Sequence, residues 1–159
     1  LADESVFSPA DALRIMQTGA ADLVNIKLMK CGGITNALRI AAAAEVYGVE
    51  CMIGCMLEAK ISVNAAVELA CAKKIITKID LDGPVLCSED HILGGAVFDE
   101  KNITVSDAPG MGIRALCRQG VLSRLKQEQT AIPKHTGCGL FCESVFHVRT
   151  VKKVRVRMP

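Results

Sequence analysis

The chain has 159 residues, half of them apolar, which is enough for one ordinary domain with a hydrophobic core. No stretch is long and apolar enough to span a bilayer and no export signal is evident, so we predict a cytoplasmic protein without membrane contact. Only five residues are aromatic, four Phe and Tyr47, which argues against a surface that stacks on nucleic-acid bases.

The net charge of +2 conceals two unlike parts of the chain. Residues 1–113 hold 9 Lys and Arg against 15 Asp and Glu, a balance of −6. Residues 114–159 hold 10 against 2, a balance of +8. Composition changes at the same point, so we divide the chain into an acidic part, 1–113, and a basic tail, 114–159.

Eight cysteines could indicate a disulfide framework, but this chain has a core large enough to be stable without one. Five of the cysteines fall inside apolar or glycine-rich stretches: Cys31, Cys51, Cys55, Cys71 and Cys87. We therefore predict reduced thiols, in keeping with a cytoplasmic protein.

The acidic part alternates between strand-like and helix-like stretches. Residues 1–5 have the pattern of a strand end, and Ser8-Pro9-Ala10-Asp11 opens a helix that stops at Gly19. The pattern then predicts strands over 23–28, 51–55 and 75–81, and helices over 35–47 and 60–73. Strand ends recur every 24 to 27 residues. This is the pitch of one unit of a (β/α)8 barrel, although a doubly wound open sheet has the same rhythm.

Charged residues fall at the carboxyl ends of the predicted strands. Asp3, Lys27, Asp80 and Asp82 each end a strand, and Glu58 lies just beyond another. In a parallel barrel this edge is the catalytic face, and charges gathered there need partners or a function. Solvated loop charges are the alternative interpretation, but four successive strands with the same feature favour a functional site.

Four segments carry a family resemblance: Ala2–Ser5 (ADES), 22–33 (DLVNIKLMKCGG), 49–60 (VECMIGCMLEAK) and 80–84 (DLDGP). Together they resemble the C-terminal part of enolase-superfamily barrels of the muconate-lactonizing subgroup, over residues 3–112. Within it they are most similar to dipeptide epimerases of the L-Ala-D/L-Glu type. The resemblance implies an α/β fold that is a partial (β/α)8 TIM barrel, built from its C-terminal units.

The resemblance implies two chemical roles. Asp3 matches one of three carboxylate ligands of an essential Mg²⁺, and Lys27 matches the lysine that acts as acid and base on one face of the substrate. An α-proton next to a carboxylate is very weakly acidic, so the enediolate formed on its removal needs a counter-charge. Lysine with Mg²⁺ is the known solution in this superfamily. A nearby cation is expected to lower the pKa of Lys27.

The resemblance also implies a binding site for a dipeptide. Asp80 and Asp82 match the pair that holds the free ammonium group of the substrate, which two carboxylates suit by charge-assisted hydrogen bonds. Cys55, Met56 and Glu58 are expected to line the pocket opposite. The substrate expected from the resemblance is an Ala-Glu-type dipeptide from cell-wall peptide metabolism.

The sequence departs from the family pattern in three respects. No Lys-x-Lys motif precedes Asp3, so the second acid/base lysine is missing, and so are the first two metal ligands. Lys30 does not replace that lysine, because it lies three residues after Lys27. Ala59 stands where the family usually has Ser. We therefore expect this chain alone to be inactive, and a full-length form to be a homo-oligomer.

The remaining stretches suggest smaller features. Residues 97–98 and 103–105 predict a hairpin, and valines alternating with cations over 148–157 predict a basic strand.

Four residues of the tail could hold zinc, but their order matches no common motif: His135, Cys138, Cys142 and His147. The composition of the tail, 114–159, favours a disordered appendage of unknown structure over a metal site or a nucleic-acid site, and translation in an altered frame or a truncated gene is a further alternative. Alternatives for the whole chain are a non-catalytic barrel remnant whose tail binds nucleic acid or anionic surfaces, and a degenerate or incompletely recorded gene product.

Overall fold

Three parallel strands form the centre of the fold. The computed structural model describes residues 1–99 and 102–116 and the backbone of 155–157. The strands are β1 (Leu23–Lys27), β2 (Glu50–Gly54) and β3 (Ile76–Asp80), and they lie side by side in this order. Ala2 forms a parallel bridge to Val24 on the other side of β1, as predicted for a strand end at this position. The topology confirms the α/β class and the parallel sheet.

Helices precede, connect and follow the parallel strands. They are α1 (Pro9–Thr18), α2 (Leu28–Cys31), α3 (Ile34–Tyr47), α4 (Lys60–Ala72) and α5 (Gly83–Leu86). The long elements agree with the predicted bounds to within one residue at each end. The one-turn helices α2 and α5 were not predicted, because four residues are too few to show a helical period.

The start of α1 shows how local sequence sets an element. The Ser8 hydroxyl accepts a hydrogen bond from the Asp11 backbone N–H (3.2 Å) and donates one to Asp11 Oδ2 (2.7 Å). The Phe7 N–H donates to the same carboxylate (3.3 Å), so Asp11 completes a capping box. The helix ends at Gly19, whose left-handed φ of 62° suits glycine.

One face of the sheet packs against the helices and forms the core. Val24, Ile26 and Ile53 are fully buried there. The facing residues of α3 are mostly alanines, among them Ala37 and Ala41, which let the helix approach the sheet closely. Because side chains alternate along a strand, the intervening residues point to the opposite face. That face carries the polar residues.

A smaller antiparallel region follows the parallel sheet. Strand β4 (Ile92–Gly94) pairs with β7 (Ile113–Leu116), and β5 (Val97–Asp99) pairs with β6 (Asn102–Thr104) as the predicted hairpin. Strand β7 extends three residues beyond the division that we placed after residue 113. The region is tied to α4 because Asn64 Oδ1 accepts a hydrogen bond from the Ala96 N–H (2.8 Å).

Part of the tail is a strand. β8 (Arg155–Arg157) pairs antiparallel with β6, which confirms the end of the predicted basic strand over 148–157. Residues 148–154 lie outside the described residues, and so do the four residues considered as zinc ligands: His135, Cys138, Cys142 and His147.

Five cysteines within residues 1–99 are free thiols, as predicted: Cys31, Cys51, Cys55, Cys71 and Cys87. Burial raises the pKa of Cys51 to about 11, with a further contribution from the charge of Glu45, so this thiol is inert near neutral pH. Within the described part of the chain, no helix combines the length and apolar character needed to cross a membrane.

Candidate active site

The carboxyl ends of the parallel strands place Lys27, Gly54 and Asp80 in one row. Lys27 pairs with Gly54 across β1 and β2, and Gly54 pairs with Asp80 across β2 and β3. Paired residues of neighbouring strands point to the same face, and neighbouring strands lie about 4.8 Å apart. Lys27 and Asp80 therefore flank a position without a side chain, on the face opposite the helices.

Asp3 lies beside this row and contacts two lysines. Asp3 Oδ2 is 3.1 Å from Lys27 Nζ, while Asp3 Oδ1 forms an ion pair with Lys30. The Lys30 ammonium also donates to the backbone carbonyl of Asp3 (2.5 Å). The side chains of Lys27 and Lys30 are 14% and 5% exposed, so water shields these contacts little. The two oxygens of one carboxylate thus have different partners.

The contacts shift the pKa of both Asp3 and Lys27. Burial alone would raise the pKa of Asp3, but hydrogen bonds from Lys30, Lys27 and Asn25 outweigh it and lower the pKa. Burial would lower the pKa of Lys27, but the hydrogen bond to Asp3 and the charges of Asp3, Glu4 and Asp80 raise it. Lys27 is therefore an ammonium at neutral pH. The resemblance led us to expect a lowered pKa for Lys27, and that lowering requires an added cation nearby.

Gly54 gives Lys27 and Asn25 the space that they occupy. A Cβ at position 54 would lie 2.9 Å from Asn25 Oδ1 and 3.2 Å from Lys27 Cε. Asn25 is 1% exposed, and its Oδ1 has no hydrogen-bond partner among the described residues. The Asn25 amide also bonds the Asp3 carboxylate, so it cannot move without disturbing that contact. A side chain at position 54 would therefore crowd both Asn25 and Lys27.

We expect Gly54→Ala to displace Lys27 and to lower the free energy of unfolding by about 1–3 kcal/mol, since the added methyl overpacks a rigid neighbourhood. Urea unfolding of the 159-residue chain measures the change. Ala42→Ser, at an exposed position of α3, is the control and should change stability by less than about 0.5 kcal/mol. Equal stability of Gly54→Ala and the unsubstituted chain would contradict this explanation.

Glu58 holds the loop that follows β2. Its side chain is buried, and its Oε1 accepts a hydrogen bond from the Met56 N–H (2.8 Å). Its Oε2 accepts one from the Ser62 hydroxyl in the first turn of α4. The carboxylate therefore points into the loop and helix that surround it. That Glu58 also lines a substrate pocket stays a prediction.

Glu58→Ala should lower the free energy of unfolding by about 2 kcal/mol, because the Met56 N–H and the Ser62 hydroxyl lose a charged partner. Glu68→Ala, at a partly exposed position of α4, is the matched control with an expected change below about 0.5 kcal/mol. Chemical unfolding of both variants at neutral pH makes the comparison. Similar losses for both would show that Glu58 does not hold the loop.

Asp80, Asp82 and Met56 are exposed at the carboxyl edge of the sheet. Cys55 connects the two loops at this edge, because its Sγ lies 4.0 Å from Asp82 Oδ1. Gly83 allows the close approach, since a Cβ there would lie 3.1 Å from the Met56 carbonyl and 3.2 Å from Cys55 Sγ. The edge therefore offers two accessible carboxylates to a cationic group.

A Mg²⁺ site is only partly represented. The carboxylate of Asp3 has the hard oxygen donors that Mg²⁺ prefers. Both of its oxygens contact lysines, however, and no group of three or more His, Cys, Asp or Glu within the described residues could hold a metal. Asp3 fits as one ligand, and the described residues do not complete the coordination.

Lys30 is the site residue that the sequence analysis missed as a contributor. Lys30 lies three residues after Lys27, so it cannot be the second lysine of a Lys-x-Lys motif. The sequence pattern indicated no other role for it. The signal was available in Gly32 and Gly33, because a glycine pair ends a short turn and can return the preceding side chain toward the strand ends. The contact with Asp3, 27 residues away in sequence, could not be read from that pattern.

This combination of a parallel α/β sheet with a lysine and carboxylates at its carboxyl edge is typical of barrel enzymes. The family model described as "Enolase C-terminal domain-like" matches residues 1–117. The chain therefore belongs to the enolase C-terminal domain-like family, and the partial barrel fold is confirmed.

The most similar relatives include L-Ala-D/L-Glu epimerase of Clostridium acetobutylicum, 67% identical over 116 residues, or 73% of this chain and 32% of the relative. Among solved structures, the chain is similar to the substrate-liganded L-Ala-D/L-Glu epimerase of Bacillus subtilis (TM-score 0.70, 45% identity, 73% of this chain and 32% of that one). It is also similar to the Enterococcus faecalis dipeptide epimerase complexed with Mg and L-Leu-L-Tyr (TM-score 0.68, 44% identity, 71% and 32%). The chain thus spans about a third of the length of the curated relatives it matches.

Proposed function

We propose that this chain supplies one side of the active site of a dipeptide epimerase, an isomerase that inverts an amino-acid α-carbon. The row formed by Lys27, Gly54 and Asp80, with Asp3 bound to Lys27, carries the proposal. It supports the proposal because an acid/base group and an accessible carboxylate lie on one face of the sheet. The dipeptide epimerases among the relatives give the reaction class.

Lys27 is the acid/base residue in this proposal. Its ammonium form can deliver a proton to the α-carbon of the substrate from one face, and its neutral form can remove the proton from that face. In the chain described here Asp3, Glu4 and Asp80 favour the ammonium form. The proton-accepting direction therefore requires added positive charge near Asp3 or the departure of the Lys27 proton to another group.

Mg²⁺ is the cation that we propose, with Asp3 as one of its ligands. When bound, the ion supplies positive charge beside the substrate carboxylate, which makes the neighbouring α-proton more acidic. The second acid/base group and the further metal ligands are not among the described residues. We propose that they come from residues outside this sequence, in a full-length cytoplasmic protein that forms homo-oligomers.

Asp80 and Asp82 select the substrate by its free ammonium group. Both carboxylates are exposed at the edge of the sheet, where charge-assisted hydrogen bonds to a cation can form. Cys55 and Met56 lie on the neighbouring loop and would contact the rest of the molecule. The proposed substrate is an Ala-Glu-type dipeptide, in keeping with the name of the Clostridium acetobutylicum relative, an L-Ala-D/L-Glu epimerase. We propose cell-wall peptide metabolism as its source.

The proposal is tested with a hybrid enzyme, in which residues 1–117 of this chain replace the matching segment of the Clostridium acetobutylicum relative. We expect the hybrid enzyme to convert L-Ala-L-Glu to L-Ala-D-Glu, which proton NMR detects. A folded hybrid enzyme that inverts no dipeptide in a panel of Ala-Glu-type and hydrophobic substrates would contradict the proposal.

The role of the two carboxylates has its own test in the hybrid enzyme. Replacing both Asp80 and Asp82 with asparagine should raise KM for L-Ala-L-Glu about 100-fold or more, because two charge-assisted hydrogen bonds are lost. A matched substrate with an acetylated amino group should have a higher KM than L-Ala-L-Glu with the unsubstituted hybrid enzyme, and a similar KM with the variant. Unchanged KM would contradict the assignment of these carboxylates to the ammonium group.

A further inference from the structure

Lys30 makes its described polar contacts with a single residue of the candidate site. Its ammonium donates to the backbone carbonyl of Asp3 and forms an ion pair with Asp3 Oδ1. The side chain is 5% exposed, and Phe7 covers the ammonium with its ring centroid 5.6 Å away. A buried ammonium needs its partners, so this geometry holds Asp3 as firmly as it holds Lys30.

The turn after β1 is built to return Lys30 to Asp3. Helix α2 ends at Gly32, and both Gly32 and Gly33 have left-handed φ values, 82° and 102°. The Gly33 N–H donates to the Leu28 carbonyl (2.9 Å), and Asn36 Nδ2 donates to the Cys31 carbonyl (2.7 Å). These bonds fix a single turn of helix, which directs Lys30 back to the carboxyl edge of the sheet.

Asp3 needs such an anchor because it lies beyond the strand pairing. The ladder on this side of β1 consists of the Ala2 N–H bond to the Leu23 carbonyl and the Asn25 N–H bond to the Ala2 carbonyl. The Asp3 carbonyl accepts from the Val6 N–H (3.1 Å) and from Lys30. Lys30 thus fixes both the backbone and one carboxylate oxygen, and leaves Oδ2 directed to Lys27.

We propose that Lys30 is a positioning residue for the reaction, which holds Asp3 so that Oδ2 is presented beside Lys27. The inference rests on the proposed function, because it assigns Asp3 and Lys27 to the chemistry. Lys30 itself touches no reacting atom. It acts through Asp3, and its loss lets the carboxylate turn away from the position that the reaction needs.

The first arm of the test uses the full 159-residue chain, with aspartate labelled by ¹³C at the carboxyl carbon. The Asp3 resonance is assigned by its absence in Asp3→Asn. In Lys30→Met we expect this resonance to shift and broaden, and in Lys73→Met we expect it to stay unchanged. Lys73 pairs with Glu45 at the other end of the helix layer (3.4 Å) and is the matched control. An unchanged Asp3 resonance in Lys30→Met would overturn the inference.

The second arm uses the hybrid enzyme and separates positioning from a general loss of structure. We expect Lys30→Met to lower kcat about 100-fold, with KM for L-Ala-L-Glu within about twofold. We expect Lys30→Arg, which keeps the charge and the donors, to recover most of the loss. If Lys30→Met does not fold, Lys30→Gln, which keeps a donor without charge, replaces it in both arms.

The outcomes distinguish the two proposals. An active hybrid enzyme whose kcat is unaffected by Lys30→Met overturns the positioning role and leaves the proposed function standing. A fall of kcat that Lys30→Arg and Lys73→Met share equally also overturns it, since it would then reflect general destabilisation. An inactive unsubstituted hybrid enzyme overturns the proposed function, and with it the catalytic part of this inference, whatever the resonance shows.

Discussion

Lys27→Ala should lower the rate of epimerisation by the hybrid enzyme about 10³-fold while KM for the dipeptide changes little. The expected loss follows from removal of a positioned acid/base group, which typically contributes 10²- to 10⁴-fold. KM should change little because Asp80 and Asp82, and not Lys27, are proposed to hold the ammonium group. Progress curves by NMR or polarimetry at saturating L-Ala-L-Glu give kcat directly.

Lys73→Ala is the control for the removal of a lysine from the same chain. Its ion pair with Glu45 joins the ends of helices away from the carboxyl edge of the sheet, so the epimerisation rate should stay within about twofold. Gly54→Ala offers a second comparison, because the added Cβ would lie 2.9 Å from Asn25 Oδ1 and 3.2 Å from Lys27 Cε and is expected to shift these side chains without removing Lys27. A Lys27→Ala variant with near-normal kcat would contradict the role of Lys27 in either direction of the reaction.

Asp3→Asn should lower the free energy of unfolding of the chain by about 2 kcal/mol at neutral pH, because Lys27 and Lys30 lose their shared counter-charge. The two lysine side chains are mostly buried, so water does not replace the carboxylate. Asparagine preserves the shape of the side chain and one hydrogen-bond acceptor, which keeps the loss below that of alanine. Urea unfolding of both proteins measures the difference.

The ion pair between Asp3 and Lys27 predicts how the difference in stability between the unsubstituted chain and Asp3→Asn depends on pH. The pKa of Asp3 is lowered from 3.8, so its stabilisation is present above the unfolded value and is lost as pH falls through the folded-state pKa. The pKa of Lys27 is raised from 10.5, so its stabilisation is present below that value and is lost as pH rises through the folded-state pKa. The unsubstituted chain and Asp3→Asn should therefore converge in stability at acidic pH, as the pH falls through the lowered folded-state pKa of Asp3. A difference in the free energy of unfolding that stays constant from neutral to acidic pH would exclude the ion pair as its source.

The strands and helices of the parallel part of the fold could be predicted from the sequence. Strand β1 and helix α3 were predictable because apolar residues alternate in one and recur with a helical period in the other. Helix α1 was predictable from Ser8 and Asp11, whose capping contacts are local. Pairing of β4 with β7 was not predicted, since its partners lie about 20 residues apart and share no turn signal.

The candidate site was predictable only as a set of residues at one edge. The position of Lys27 relative to Asp80 follows from strand order and register, which the pitch of the units implies. The contact between Lys30 and Asp3 depends on the path of a one-turn helix, and the sequence does not fix that path. Glu58 shows the same difficulty: whether its carboxylate faces the pocket or its own loop depends on Ser62 and the Met56 N–H, one turn away.

The most direct test of Lys27 as the acid/base residue is deuterium exchange at the α-carbon of the Glu residue, followed by NMR in heavy water. It is run with the hybrid enzyme and its Lys27→Ala variant, starting separately from L-Ala-L-Glu and L-Ala-D-Glu. We predict that the unsubstituted enzyme exchanges the proton from both epimers, and that Lys27→Ala loses exchange from the epimer whose proton faces Lys27. Unchanged exchange from both epimers in Lys27→Ala would contradict the assignment of Lys27 as the acid/base residue.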